Sequence, residues 1–251
     1  FTRGGDDLTS ATWQGFGELP GVENLVGTAF DDDLRGDAGA NRIEAGAGDD
    51  TLEGAAGNDT LLGGTGNDLL LGGAGDDTFV YEGGRDQVQG GSGTDTVDFS
   101  GFGSAVWAKL DYTGGNQAFT RGGDDLTSGP WQGLAAIAGA ENLVGTAFDD
   151  ELRGDAGANV LTGGAGDDLL EGAGGADTFV FAPGSGQDTV GDWQDGVDQL
   201  DLSGFGFASF AAVDSNATGT GGTLTISLAS DDQVEVIGLS KTDFDAGDVL
   251  I

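Results

Sequence analysis

Apolar residues recur at a spacing of nine along much of this chain, each placed shortly after a cluster of glycines and aspartates. Six consecutive nonapeptides, from AGAGDDTLE at 45–53 to GGSGTDTVD at 90–98, show the pattern most clearly. Nine residues fit a tight turn of about six residues followed by about three residues of strand. The apolar positions of this first array are Leu25, Leu34, Ile43, Leu52, Leu61, Leu70, Phe79, Val88 and Val97.

A second array with the same spacing follows further along the chain. Strict periodicity ends between Phe179 and Val190, where the spacing stretches to eleven residues. Two nonapeptides would make one coil of 18 residues, and successive coils would stack at the usual strand spacing of about 4.8 Å. The apolar positions of the second array are Leu143, Leu152, Leu161, Leu170 and Phe179.

The chain also carries a repeat of much longer period. Three segments of its first part recur with the same letters at a constant offset of 118 residues. We infer that two copies of one module are joined in tandem, and we expect the parent protein to continue before Phe1. The matching segments are 1–10 with 119–128, 23–32 with 141–150, and 34–41 with 152–159.

The net charge of the chain limits the classes of molecule that it can bind. Asp and Glu total 44 against 8 Lys and Arg, a formal net charge of −36 over 251 residues. Such a chain repels itself unless cations neutralise it. Because there is no basic patch to displace phosphate counterions, no nucleic acid is expected as a partner, and multivalent cations are favoured. No run of 18 apolar residues exists, so no membrane span is predicted.

The absence of two residue types excludes several kinds of metal site and active site. The chain has no Cys and no His, which excludes disulfides, tetrahedral zinc sites and the Ser-His-Asp and Cys-His nucleophile systems. Oxygen ligands remain, and these favour calcium. No carboxylate pair stands out as a catalytic pair among 44 acids, so we expect no catalytic residue and no enzymatic activity in this chain.

The repeats resemble the glycine-rich nonapeptide of the RTX (repeats-in-toxin) calcium-binding family. The resemblance implies an all-β fold, a parallel β-roll or β-solenoid, to which the chain adds a C-terminal antiparallel β cap. One apolar side chain for nine ordered residues makes a thin core, so an external stabiliser is needed. Calcium, at roughly 6–12 ions for the chain, is the stabiliser that the resemblance implies.

By the same resemblance, the residue two positions before each apolar residue coordinates an ion held between turns of adjacent coils. Residues 18 apart stack on one side, so Asp50, Asp68 and Asp86 are predicted in one row. Tyr81 and Glu82 replace two glycines of the Asp86 repeat, and asparagine in the ligand position predicts a weaker site. The predicted metal ligands are Asp32, Asn41, Asp50, Asp59, Asp68, Asp77, Asp86, Asp95, Asp150, Asn159, Asp168, Asp177 and Asp188.

The C-terminal region carries ordinary strand signals. The segment 223–239 alternates apolar and polar residues around a Ser-Asp-Asp turn and predicts an antiparallel hairpin. Residues 188–206 resemble the segment that follows the array in secreted RTX proteins. Asp248–Ile251 resembles the tail read by type I secretion machinery, with a simple last strand as the alternative. The predicted division is a lead-in at 1–22, a first array at 23–98, a spacer at 99–140, a second array at 141–191 and a cap with the secretion signal at 192–251.

The resemblance implies a calcium-binding module that folds on calcium outside the cell and supports type I secretion of a larger extracellular protein. Its partners would be calcium ions and the type I secretion apparatus, with self-association or surface polysaccharide left open. One alternative is a calcium-assembled surface protein, such as an S-layer, adhesin or matrix filament. Another is an accessory module of an RTX protease, lipase or epimerase. We favour one elongated solenoid through both arrays over two separate rolls.

Overall fold

The computed structural model describes residues 23–111, 117–123, 126, 127, 129–229 and 231–251, and the predicted lead-in at 1–22 lies outside them. Its regular structure is almost entirely short β-strand, with a 3₁₀ turn at Ser203–Phe205 and one short helix, α1, at Phe210–Ser215. The strands are β1 (Asn24–Val26), β2 (Asp33–Arg35), β3 (Arg42–Ala47), β4 (Thr51–Ala56), β5 (Thr60–Thr65), β6 (Leu69–Ala74), β7 (Thr78–Val80), β8 (Asp86–Ser92), β9 (Thr96–Asp98), β10 (Trp107–Lys109), β11 (Ala118–Thr120), β12 (Gln132–Ala138), β13 (Asn142–Val144), β14 (Glu151–Arg153), β15 (Val160–Thr162), β16 (Leu169–Glu171), β17 (Thr178–Val180), β18 (Gln187–Val190), β19 (Gln199–Asp201), β20 (Ala217–Thr220), β21 (Thr223–Ser227), β22 (Gln233–Ile237) and β23 (Val249–Leu250).

The chain divides into two compact units, and the first contains the first array. Its odd-numbered strands β1, β3, β5, β7 and β9 pair in parallel as one row, and β2, β4, β6, β8 and β12 pair in parallel as the facing row. Partners within the array are 18 residues apart, as in Leu52 with Leu70. One coil of the solenoid is therefore two nonapeptides.

The second unit contains the second array and repeats the arrangement. One parallel row is β13, β15, β17, β19 and β23, and the other begins β10, β14, β16, β18 and β22. The register steps by 18 residues from Leu161 to Phe179 and then by 21 to Leu200. The sequence insertion after Phe179 is thus accommodated in the turns, because the strands on both sides of it keep their pairing.

The inward side chains form two facing stacks in each unit. Single residues from successive strands lie in register and are almost completely removed from solvent. Many of the strands are three residues long and β3, β4, β5 and β6 have six, but each places the apolar residue of its repeat inward, and alternation sends that residue's neighbours outward. The buried stacks are Ile43, Leu61, Phe79 and Val97 facing Leu34, Leu52, Leu70, Val88 and Ile137 in the first unit, and Leu143, Leu161, Phe179, Leu200 and Val249 facing Ala108, Leu152, Leu170, Val190 and Val236 in the second.

An antiparallel hairpin ends the second unit. Strands β21 and β22 pair antiparallel, with Leu224 opposite Val236 and Ile226 opposite Val234, and β20 adds a third antiparallel strand. β22 also pairs in parallel with β18, so the hairpin covers the edge of the roll. The tail residues Val249 and Leu250 form β23 beside β19.

The predicted fold class is confirmed: the chain is all-β, a parallel β-solenoid with an antiparallel C-terminal part. The five-part division of the sequence stays a prediction. Within the described residues, no helix is long and apolar enough to cross a membrane.

Candidate calcium sites

The thirteen predicted ligands share one location in the fold. Each lies where a tight turn passes into a strand, with Asp86 and Asp188 among the first residues of the strand itself, and each is buried, with 0 to 6% of its surface exposed. Burial of so many carboxylates is costly unless they are paired with donors or cations. What surrounds each carboxylate therefore decides its role.

In every row, each carboxylate after the first residue uses one oxygen to hold the neighbouring coil. The N–H of Asp32 donates to Asp50 Oδ1 at 2.7 Å, and the N–H of Asp50 donates to Asp68 Oδ1 at 2.9 Å. The same bond recurs between residues 18 apart in the other row and in the second unit. The structure thus places the predicted ligands in rows, which are Asp32, Asp50, Asp68 and Asp86; Asn41, Asp59, Asp77 and Asp95; Asp150, Asp168 and Asp188; and Asn159 and Asp177.

The second oxygen of seven of these carboxylates has no hydrogen-bond donor. It is nevertheless fully buried. A buried anionic oxygen without a partner carries a large desolvation cost, and a cation is the partner that removes it. The seven oxygens are Oδ2 of Asp50, Asp59, Asp68, Asp77, Asp168, Asp177 and Asp188.

Main-chain carbonyls face the same small spaces. A Cβ added to Gly72 would lie 2.2 Å from Asp77 Oδ2 and 2.6 Å from the Gly90 carbonyl oxygen. At Gly64, where φ is 95°, an added Cβ would lie 1.9 Å from the carbonyl oxygen of Gly46 in the coil before. Glycine is therefore required both by the backbone angle and by the oxygens that crowd the turn.

This donor set suits calcium. Ca²⁺ takes six to eight oxygen ligands from carboxylates, carbonyls and water. Within the part of the chain that the structure describes, no three acidic side chains converge into one cluster. A site in these turns would therefore combine one or two carboxylates with main-chain carbonyls, and the residues present fit that requirement.

Burial also changes the proton affinity of the carboxylates. The pKa of Asp168 is raised from 3.8 to about 8, mainly by desolvation and in smaller part by the charges of Asp150 and Asp188. The same cause raises the pKa of Asp188 to about 7 and that of Asp50 to about 6. Without a cation, these carboxyl groups therefore keep their protons up to a higher pH than an exposed aspartate does.

The predicted ligands outside the group of seven have other surroundings. Asp32, Asn41, Asp150 and Asn159 accept a main-chain N–H from within their own turn. In the Asp86 repeat, the buried Tyr81 donates its hydroxyl to the Gly84 carbonyl at 3.0 Å. Asp95 is buried and accepts the N–H of Asp77 at 2.9 Å.

Sequence reasoning missed one member of the rows. Asp198 accepts the N–H of Asp177 at 3.1 Å and so continues the row that begins at Asn159. The signal was present, because Asp198 stands two residues before the inward Leu200 as in every other repeat. The irregular spacing of 21 residues hid it.

The family described as the RTX calcium-binding nonapeptide repeat matches four copies, at residues 26–61, 53–88, 82–102 and 138–179. This chain carries RTX calcium-binding repeats. Such repeats bind calcium, and the matched residues contain the buried carboxylate rows just described, except for Asp188 and Asp198, which follow the last match.

No curated protein matches the chain. Among solved structures, the chain is similar to the crystal structure of extracellular lipase LipA from Serratia marcescens, with 19% identity and a TM-score of 0.33. The similarity covers 98% of this chain and 42% of the lipase chain. This chain therefore spans about two fifths of the length of that lipase.

Proposed function

We propose that this chain is a calcium-dependent folding module of a larger secreted protein, and that it has no catalytic activity of its own. The observation that carries the proposal is the set of seven buried carboxylate oxygens without a donor. They lie in turns whose glycine carbonyls face the same spaces. At neutral pH and above, a fold with this feature depends on cations that fill those spaces.

The residues of the chain have distinct roles in this account. The Oδ1 atoms tie each coil to the one before it, as Asp68 does for Asp50. The Oδ2 atoms of the seven carboxylates without a donor for that oxygen, with nearby glycine carbonyls, would hold the ions. Bound calcium supplies positive charge and oxygen coordination between turns. Because a preformed site does not exist in the unfolded chain, binding and folding are one event.

The charge of the chain sets the direction of the switch. At low calcium, a net charge of −36 favours an extended chain, which suits passage through an exporter. Extracellular calcium modules bind at about 10⁻⁴–10⁻³ M, so folding would be confined to the outside of the cell. Export by a type I system is part of this proposal and is supported by the kind of repeat.

A calcium titration of the chelator-stripped protein tests the proposal. Far-UV circular dichroism and light scattering would be followed in the same sample, with magnesium as the control ion. The proposal expects a steep, calcium-specific gain of β-structure at constant monomer mass. No gain at millimolar calcium would contradict it.

The tandem duplication favours a second function. Segments repeated at an offset of 118 residues are typical of surface proteins that lengthen by duplication. In that case calcium would drive association between chains as well as folding. The same titration separates the two functions, because assembly would appear as scattering mass that grows with calcium.

A further inference from the structure

Outside the Asp86 turn, the second residue of each nonapeptide turn, four positions before the ligand position, has one of two conformations. In the seven turns with a donor-free Oδ2 it has a positive φ, between 69° and 115°. Two of the seven are alanines, Ala55 at 81° and Ala173 at 69°, although L-residues avoid this region. The other five are Gly46, Gly64, Gly73, Gly164 and Gly184.

A different conformation occurs in five further turns, where the second residue is not at positive φ. In each of them its N–H donates to the side chain four positions later. Thr28 donates to Asp32 at 2.6 Å, Asp155 to Asn159 at 2.8 Å, and Gln194 to Asp198 at 2.8 Å. The remaining two are Asp37, which donates to Asn41, and Thr146, which donates to Asp150.

The two threonines add a second donor. The hydroxyl of Thr28 lies 2.9 Å from Asp32 Oδ2, and that of Thr146 lies 3.0 Å from Asp150 Oδ2. The oxygen that has no donor in an open turn is here held by two. We call these five turns capped, and we call the seven turns with a donor-free Oδ2 open.

The sign of φ explains the difference. Rotation about φ turns the peptide unit that carries the residue's own N–H relative to the rest of the turn. A residue with a side chain favours negative φ, which aims its N–H into the turn at the carboxylate. Glycine accepts positive φ, which turns its N–H away from the side chain four positions later and leaves that oxygen without a donor.

We propose that the conformation of the second turn residue decides which turns take a calcium ion. Open turns bind calcium, and capped turns fold without it; this inference rests on the proposed function. The turn of Asp95, with Gly91 at φ 119°, joins the open group on conformation. Asp32, Asn41, Asp150 and Asn159 are then structural residues, although they occupy ligand positions in the sequence.

Four of the five capped turns lie at the starts of the two arrays. Thr28 and Asp37 occupy the two turns at the start of the first array, and Thr146 and Asp155 occupy the corresponding turns of the second. Each array thus begins with one coil of capped turns, in which main-chain N–H groups of the chain satisfy the side chains at the ligand positions. Such a coil offers a metal-independent template on which the calcium-requiring coils stack.

Counting bound ions on the full chain tests the inference. Native mass spectrometry at saturating calcium would compare Asp168→Asn with Asp150→Asn, neighbours in one row. The open-turn variant D168N is expected to lose an ion, and the capped-turn variant D150N is expected to keep the parent's count. Loss of an ion from D150N would overturn the inference.

A second pair of variants addresses the cap itself. Thr146→Gly removes the hydroxyl and frees the backbone to adopt positive φ, so the calcium midpoint of folding should rise or an extra ion should bind. Thr146→Ser retains the cap and should leave both unchanged. Equal behaviour of the two variants would overturn the inference. If the parent chain bound no calcium at all, the proposed function would fail instead.

Discussion

The main-chain N–H of Asp50 donates a 2.9 Å hydrogen bond to Oδ1 of Asp68, one full coil further along the chain. The other oxygen of Asp68 is buried without a donor. A single side chain therefore clamps one coil to the next and also faces the space where a cation fits. Because each such carboxylate belongs to one coil and accepts a hydrogen bond from the coil before it, its loss should destabilise both coils.

Substitutions at Asp68 separate these two roles. Asp68→Asn keeps an acceptor for the Asp50 N–H but removes the charge, whereas Asp68→Ala removes both. Both variants should fold at higher calcium, and the alanine variant should lose about 1–3 kcal/mol more stability because a buried donor is left unsatisfied. Calcium titrations followed by denaturation at fixed calcium measure the difference. Equal stability of the two variants would contradict the clamping role.

Acid should replace calcium in part. The pKa values of Asp50, Asp188 and Asp168 are raised from 3.8 to about 6, 7 and 8, mainly by burial. A raised folded-state pKa gives stability that is full below the unfolded value and is lost as pH rises through the folded value. The calcium-free chain should therefore gain β-structure as pH falls from about 8 towards 4.

Circular dichroism in metal-free buffer measures this acid-induced folding. The Asp168→Asn variant is the control. A neutral amide in place of the carboxyl with the highest pKa removes one proton that folding must take up, so the transition should shift to higher pH and become less steep. A calcium-free chain that stays unfolded throughout this range would show that the carboxylates do not determine the calcium requirement.

The first glycine of a turn should not accept a methyl group. Gly72 is not at positive φ, yet a Cβ there would lie 2.2 Å from Asp77 Oδ2. Gly72→Ala should cost about 1–3 kcal/mol through overcrowding and should raise the calcium midpoint. Gly101→Ala is the matched control, since nothing lies within 4 Å of its added Cβ. Thermal unfolding at fixed calcium compares them, and equal melting temperatures would contradict the crowding.

Removal of residues 192–251 should weaken calcium-induced folding. The deletion removes β22 and β19, which pair with β18 and β17, and Trp193, whose ring centroid lies 6.2 Å from that of Phe179. The last coil would then expose its apolar stack and its strand edges. Circular dichroism against calcium concentration measures the effect. A truncated chain with an unchanged transition would contradict this role of residues 192–251.

Much of the fold follows from the sequence because the solenoid is built from local repeats. The nine-residue spacing of Leu52, Leu61 and Leu70 sets both the strand positions and the register of 18 residues. A pairing without periodicity was not predictable in the same way. Ile137 of β12 lies beside Val88 of β8, and no repeat links these two positions in the sequence.

The site was predictable in position but not in detail. The spacing of aspartates before apolar residues located every member of the rows except Asp198. It could not separate open from capped turns, because that difference depends on a backbone angle four residues earlier. Thr146 and Gly164 stand at equivalent places in adjacent coils, and only one of them directs its N–H at a carboxylate.

A crystal structure grown in calcium tests the central claim most directly. Anomalous difference density should appear beside Oδ2 of Asp68 and Asp168, in contact with glycine carbonyls of the same turns. Density should be missing beside Asp150, because the N–H and the hydroxyl of Thr146 already donate hydrogen bonds to its Oδ2. Open turns without bound ions at saturating calcium, with their carboxylates satisfied by water, would contradict the account.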